Sequence, residues 1–420
     1  MRLPVLLLPL LGLAGSALAP RAAVGQRRIL VVRDEVVQIS PAVDLVYART
    51  AWSDIDRDGF DDIVVTGLAP LSLQPRSFVY TFLQENAVTV GGNTSYTAVY
   101  ARRDSPIPAL WGDLVAADVN GDRVADVVSV GVADTSAAAG PGTTTGTVGT
   151  LGGLSVSNVM APLAVVNGRL AASLPYLAST GRTGSGDVRL TVVRRTGSTA
   201  FAVVGSWPGL QLGGMDFGDC DGDGDDDLVL TGVDAAFGPA TLLARNDGGT
   251  FTVVPIADVP GRVGGEVRLL DLDGDGDDDL LVSGSVYVPT GLEPRTDVRR
   301  AEGCTFALDR TPPDLRLLRA TSIVAADLQA SGQRRLLLSV ESGETTAQLV
   351  EYTLPLSPTS SPHRILPSVL GVRMIVGDYN RDTVEDLLMT GHRLGERADG
   401  TYGPIPVSFI FRSATWIDAG

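Results

Sequence analysis

The residues best placed to do chemistry are carboxylates crowded into a short stretch. DLDGDGDDDLLVSG, residues 271–284, carries six aspartates in its first nine positions and runs directly into Leu-Leu-Val. Like charges at that density repel unless a cation sits among them. Asp271, Asp273 and Asp275 alternate along a tight loop that Asp279 closes at position nine, so their oxygens can converge on one centre. Ca²⁺ takes six to eight oxygen ligands at about 2.3–2.6 Å and suits such a loop. Gly276 at position six permits the sharp turn, and the carbonyl of Asp277 at position seven adds another oxygen. Mg²⁺ suits it less, since it demands tighter octahedral geometry and keeps its waters.

The pattern recurs. DCDGDGDDDLVLTG at 219–232 offers Asp219, Asp221, Asp223, Asp225 (through its carbonyl) and Asp227. DIDRDGFDDIVVTG at 54–67 offers Asp54, Asp56, Asp58, Phe60 (again through its carbonyl) and Asp62. DVNGDRVADVVSVG at 118–131 offers Asp118, Asn120, Asp122 and Asp126, and DYNRDTVEDLLMTG at 378–391 offers Asp378, Asn380, Asp382 and Asp386. These last two replace a charge by Asn at position three and Gly by Arg123 or Thr383 at position six, which predicts weaker binding. Up to five Ca²⁺ ions are expected. An EF-hand opens alike but closes with Glu at position twelve between helices. Here position twelve is Val65, Leu230 or Val282, within an apolar run, so the EF-hand and dockerin readings are rejected.

The starts at 54, 118, 219, 271 and 378 set a period near 52 residues with two double gaps. GRLAASLPYLASTG at 168–181 and DLQASGQRRLLLSV at 327–340 fill the gaps, keeping the apolar tail without the acidic pattern. Seven units result. In each, an apolar stretch precedes the loop, a second follows it, and a hairpin comes next, clearest at 241–254 around the turn at 246–249. Four strands at this period predict an all-β, seven-bladed β-propeller with calcium-binding loops in five blades. Leucine-rich and helical repeats lack support in the pattern. The segment 28–40 is expected to complete the last blade and so cover an open edge. Residues 26–420 read as one domain, with 133–157, rich in Gly, Thr and Ala, as a flexible surface loop.

A nine-residue acidic loop inside a four-stranded repeat resembles the FG-GAP and VCBS repeat family, best known from the calcium-bearing blades of the integrin α-subunit propeller. The resemblance covers nearly all of 26–420 and is strongest at 54, 219 and 271. It implies a seven-bladed propeller, structural Ca²⁺, metal loops on one face, and an opposite face that binds an extracellular protein or glycan. Trp111, Trp207, Tyr287, Arg262 and His392 are expected in loops of that opposite face. Trp111 and Trp207 read equally well as packing between blades, and Trp52 as core.

Bulk composition narrows the function. A formal charge of −16 speaks against nucleic acid and anionic lipid as partners. All 33 basic residues are arginine, which removes Schiff-base lysine chemistry, and His363 and His392 are the whole histidine complement. No GxSxG elbow, phosphate loop or zinc motif occurs. With these motifs absent, the resemblance implies a non-catalytic binding or adhesion module. The alternatives are a secreted carbohydrate-active enzyme of propeller type and a purely architectural surface module. Residues 1–25 read as a signal peptide, from Arg2, the apolar run at 3–13 and the small residues after it, so the chain is expected to be exported. Ser16 stands where a lipid-bearing cysteine would be, which predicts no lipid anchor, and no later segment reads as membrane-inserted. In an oxidising compartment Cys220 and Cys304 could pair or remain two thiols.

Overall fold

The second stretch of each repeat is an apolar run of five or so β-favouring residues, and its composition calls for a strand buried on both faces. The computed structural model bears this out. It describes residues 27–54, 56, 58–72, 75–90, 93–104, 110–117, 126–132, 146–147, 155–156, 163–165, 176–182, 187–195, 201–306, 308–341, 346–397 and 399–419. The predicted signal peptide and most of 133–157 lie outside these. Asp62–Leu68 and Asp227–Val233 are buried along their whole length, each in the interior of its sheet. Their side chains alternate between two apolar clusters. In Asp279–Val288, Leu280 and Val282 pack toward the unit before, while Leu281 packs toward the unit after.

The chain is all-β, with one short helix, Pro313–Arg316, among the described residues. Units four, five and six are four-stranded antiparallel sheets in sequence order, beginning with Met215–Gly218, Val263–Leu270 and Ala320–Ala326. Unit three runs from Leu163–Val165 to Phe201–Pro208 in the same way, and unit two shows Leu110–Ala117 paired with Asp126–Val132. Within 133–157, Gly146–Thr147 pairs with Ser155–Val156.

Units one and seven share an eight-stranded sheet, and the N-terminal strand is the reason. Arg27–Ser40 pairs antiparallel with Tyr402–Ala419, completing the last unit as the sequence predicts. The same strand also pairs parallel with Asn93–Asp104, the outer strand of unit one. First strands of successive units touch in cyclic order, and Leu370–Gly377 of unit seven meets Val46–Ser53 of unit one. The arrangement is propeller-like. Its apolar clusters sit between neighbouring sheets, and the one at the meeting of the two ends joins Tyr379, Leu388 and Ile410 to Ile63 and Tyr80.

The glycine that ends every copy but the one at 327–340 has a steric cause. A Cβ at Gly232 would stand 2.5 Å from the carbonyl oxygen of Gln211, and one at Gly391 would stand 2.7 Å from that of Leu370. The first strand closes onto the second there, and only a residue without a side chain admits the approach. The hydroxyl residue just before it is buried and bonded: Thr231 to Thr241 at 3.1 Å, Thr390 to Thr50 at 2.9 Å, and Ser283 to Thr296 at 2.7 Å.

Candidate metal loops

Each acidic loop joins the first and second strands of a unit, so the loops lie at one end of the sheets and the turns between second and third strands lie at the other. The loop backbone turns through left-handed residues at two places. Position six does so as predicted, with φ of +87° at Gly59, +90° at Gly224 and +101° at Gly276. Position four does so as well, at Gly222, Gly274 and Arg381. Thr383 adopts φ +71° at position six of the last loop, a conformation that costs a β-branched residue free energy.

Three loops gather carboxylates. Oxygens of Asp54, Asp56 and Asp58 lie within 4.8 Å of one another, as do those of Asp219, Asp221 and Asp227, and those of Asp271, Asp273 and Asp279. Asp223 and Asp275 at position five stand apart from the latter two sets. Asp223 accepts the N–H of Asp225 at 2.9 Å, and Asp275 pairs with Arg300 at 2.6 Å. Asp225 and Asp277 enter the expectation through their carbonyls, and the Asp225 side chain accepts the N–H of Gly248 at 2.8 Å. Phe60 donates its N–H to Asp58 at 2.8 Å. In the last loop Asp378 accepts N–H bonds from Asp382 and Thr383 at 3.0 and 2.8 Å, and Asn380 donates to Asp382 at 3.3 Å. Asp378, Asp382 and Asp386 do not form a three-carboxylate group of the same tightness. Asp118, Asn120 and Asp122 lie outside the described residues, as does the side chain of Asp126.

Position nine has a second task that its spacing does not reveal. Asp227 accepts N–H bonds from Cys220 at 3.2 Å and Asn246 at 2.8 Å; Asp279 accepts them from Leu272 at 3.2 Å and Ala301 at 2.8 Å. Asp62 accepts from Asp56 at 3.3 Å and Phe82 at 3.0 Å. Each of these buried carboxylates ties its loop to the third strand of the same sheet or, at Ala301, to the residue that follows it. Burial, first, pushes Asp227 up to about 7 and Asp279 up to about 6, and raises Asp386 well above the ordinary carboxylate range, against the lowering effect of the N–H donors.

The donor set fits a divalent cation on an independent observation. Asp219 Oδ1, Asp273 Oδ1 and Asp386 Oδ2 are buried and accept no hydrogen bond from any protein group. An acceptor oxygen left so costs free energy unless something positive meets it. Unit six shows the same turn built without the acids. Asp327 at position one accepts N–H bonds from Gln329, Ser331 and Gly332, and Ala330 and Gly332 keep the left-handed turns. Position nine is Arg335, which donates to Glu351 and, at 3.0 Å, to Gln329 at position three. That loop carries its own cation.

Cys220 and Cys304 form a disulfide. It takes position two of the loop at 219–227 and fastens it to the segment after the third strand of unit five. The next pair of units makes the same contact with Leu272 and Leu356, which pack together in one apolar cluster. Bonded to each other, the two sulfurs offer no thiolate beside Asp227. Replacing both cysteines by serine should cost about 2–4 kcal/mol in urea-induced unfolding, since the bridge closes a long loop, with 84 residues of sequence separation. An unchanged midpoint would refute a stabilising role.

The residues expected on the opposite face are redistributed. Arg262 is fully buried in an ion pair with Asp297, so it cannot meet a ligand. His392 is buried beneath Tyr47, with ring centroids 5.4 Å apart. Trp207 is half-buried and packs near Phe251 of the next unit, the inter-unit packing role. Trp52 is core, and the side chain of Trp111 lies outside the description. Tyr287 is exposed. Tyr47, Phe237 and Tyr402 join it, all more than half exposed and all at the end away from the acidic loops. Sequence reading passed over these three, because an isolated aromatic beside a turn carries no periodic signal.

A charged cluster that the sequence did not reveal lies among the first strands. Arg268 pairs with Glu266 and lies 4.0 Å from Asp216, and Arg373 of unit seven reaches Glu266 of unit five at 3.5 Å. Burial, first, raises Asp216 to about 6, against the lowering effect of Arg268 and the N–H of Leu269. Comparing first strands at one register would have been the signal.

Residues 219–282 match the FG-GAP-like repeat, the family that the acidic loops resemble. None of the curated proteins matches the chain. Solved structures similar to it include a GH43_1 enzyme from Xanthomonas citri complexed with xylose, at 14% identity, covering 58% of this chain and 90% of that one, with a TM-score of 0.33. An endo-arabinase from Bacteroides thetaiotaomicron shows 13% identity over 61% and 94% of the two chains, TM-score 0.30. An α-L-arabinofuranosidase from Clostridium thermocellum shows 7% over 59% and 94%, TM-score 0.27. Likenesses this distant assign neither a reaction nor a substrate. Among the described residues, no helix is long and apolar enough to cross a membrane.

Proposed function

We propose that the protein is an exported, calcium-binding, seven-bladed propeller that serves as a non-catalytic binding or adhesion module for an extracellular protein or glycan. The blade count rests on the cyclic contacts of the first strands together with the seven units of the sequence. Ca²⁺ is held by Asp54, Asp56, Asp58 and Asp62, by Asp219, Asp221, Asp223 and Asp227, and by Asp271, Asp273, Asp275 and Asp279. The loops at 118–126 and 378–386 hold it more weakly. Buried carboxylate oxygens with no protein donor support this reading. The ion's work is structural: it neutralises like charges and fixes the end of every sheet that bears a loop.

The observation that carries the binding role is the set of exposed aromatics, Tyr47, Phe237, Tyr287 and Tyr402, at the end away from the metal. Aromatic faces stack on sugar rings or anchor a protein partner. A protein and glycan array probed with calcium-loaded protein should give a ligand that the combined Tyr47→Ala, Phe237→Ala, Tyr287→Ala and Tyr402→Ala variant loses by at least tenfold. Equal signals from the two would sink the assignment of that face.

A second reading, a secreted carbohydrate-active enzyme, is favoured by Asp216, whose raised value suits a proton donor. Both acids of that cluster are engaged by Arg268, which opposes it. Hydrolysis of aryl xylosides or arabinosides by the wild type, abolished in Asp216→Asn, would establish the enzyme. Asp216 also sets a stability test. The folded chain keeps this proton at pH values where the unfolded chain has lost it, so the contribution is present below about 4 and lost as pH rises toward about 6. In saturating calcium, Asp216→Asn should fall less in urea midpoint than the wild type between pH 4.5 and 6.5. Parallel pH profiles would exclude Asp216 as the titrating group.

A further inference from the structure

One position of the nine-residue loop lies outside the metal cage and still carries an acid in four of the five acidic loops. It is position eight: Asp61, Asp226, Asp278 and Glu385. The side chains of Asp61, Asp278 and Glu385 reach into the preceding unit of the ring. Asp278 of unit five accepts the N–H of Asp219 in unit four at 2.9 Å. Asp61 of unit one accepts the N–H of Asp378 in unit seven at 3.0 Å. Glu385 of unit seven accepts the N–H of Asp327 in unit six at 2.6 Å. The donor is each time position one of the neighbour's loop. A return bond, from the N–H of Asp278 to the carbonyl of Asp219 at 2.9 Å, makes a clamp of the first pair.

The fit is specific. A Cβ on Gly218, just before Asp219, would stand 2.6 Å from Asp278 Oδ2, and one on Gly377, just before Asp378, would stand 2.7 Å from Asp61 Oδ2. Two glycines far apart in sequence thus make room for the same carboxylate in the same place. Glu385 has the longer side chain, and the residue before its target is Ala326.

We propose that the position-eight acids are positioning residues that couple neighbouring loops around the ring. Where the preceding loop is an acidic one, the acid fixes the backbone of its first metal ligand, so Asp278 sets the calcium affinity of the loop at 219–227. Asp61 does the same for the loop at 378–386, across the seam where the two ends of the chain meet, and there it joins metal loading to ring closure. A ligand whose backbone is already fixed loses less freedom when the ion arrives. The inference rests on the calcium reading above.

Calcium binding to the full chain, followed by equilibrium dialysis with radioactive Ca²⁺, tests it. Asp278→Ala should weaken one site by about tenfold, the scale of one lost charge-assisted bond. Asp278→Asn keeps an acceptor oxygen and should restore most of that affinity. Asp221→Ala removes the site at 219–227, so adding Asp278→Ala to it should change nothing further. Wild-type affinity in Asp278→Ala would overturn the proposal, as would a weakened site that persists in the Asp221→Ala background. Equal losses of melting temperature in EDTA and in calcium would assign the acid a merely structural role and overturn it too. Asp61→Ala repeats the test on the loop at 378–386 and serves if the first variant fails to fold. A wild type that binds no calcium is a different result, which sinks the calcium reading itself.

Discussion

Removing divalent cations with EDTA should lower the melting temperature of the full chain by roughly 10 °C, and calcium added back should restore it. Each site that binds only the folded chain contributes about 2.7 kcal/mol at a hundredfold excess over Kd. The three loops with gathered carboxylates together supply most of the effect. In a chain of this size each kcal/mol moves the midpoint by a degree or two. Without the ion, carboxylates such as Asp227 and Asp279 sit buried at a cost that shows in their raised values. Calorimetry in calcium and in EDTA decides the matter. Identical midpoints would mean that the clustered acids hold no ion that matters to the fold.

Asp297→Ala should cost about 3–5 kcal/mol, the largest effect expected of a single substitution outside the loops. Asp297 and Arg262 form an ion pair with neither side chain exposed, and Arg295 and Arg316 approach the same carboxylate at 3.1 and 3.6 Å. Truncating the acid leaves a buried guanidinium with the carbonyl of Pro260 as its remaining hydrogen-bond partner. Burial already lowers Arg262 to about 10 despite the acid beside it. Replacing both partners, Arg262→Met with Asp297→Leu, should recover most of the loss, because the expensive state is one charge without the other. Urea unfolding in saturating calcium measures both variants. An Asp297→Ala variant within 1 kcal/mol of wild type would refute the argument.

What the sequence carried was periodic. The spacing of Asp271, Asp273, Asp275 and Asp279 marked a tight acidic loop between two strands. The apolar tail declared a strand buried on both faces, and the double gaps exposed the units at 168 and 327. The strand at 27–40 was legible because its pattern is β and the last unit lacked an outer strand. The aromatic and basic face residues were less legible. Arg262, His392 and Trp207 stand beside turns in the sequence, yet whether a residue beside a turn meets solvent or a neighbouring sheet depends on how two units pack.

Local spacing determined the acidic loops and the strand order within a unit, because each follows from interactions within about fifty residues of chain. The tertiary structure alone decided that Cys220 meets Cys304, that Asp61 reaches Asp378, and that Glu266 lies near Arg373. Those contacts join residues of different units, and a repeat pattern is identical in every unit. It specifies what each sheet is, but not which side chain of the next sheet will fill the space against it.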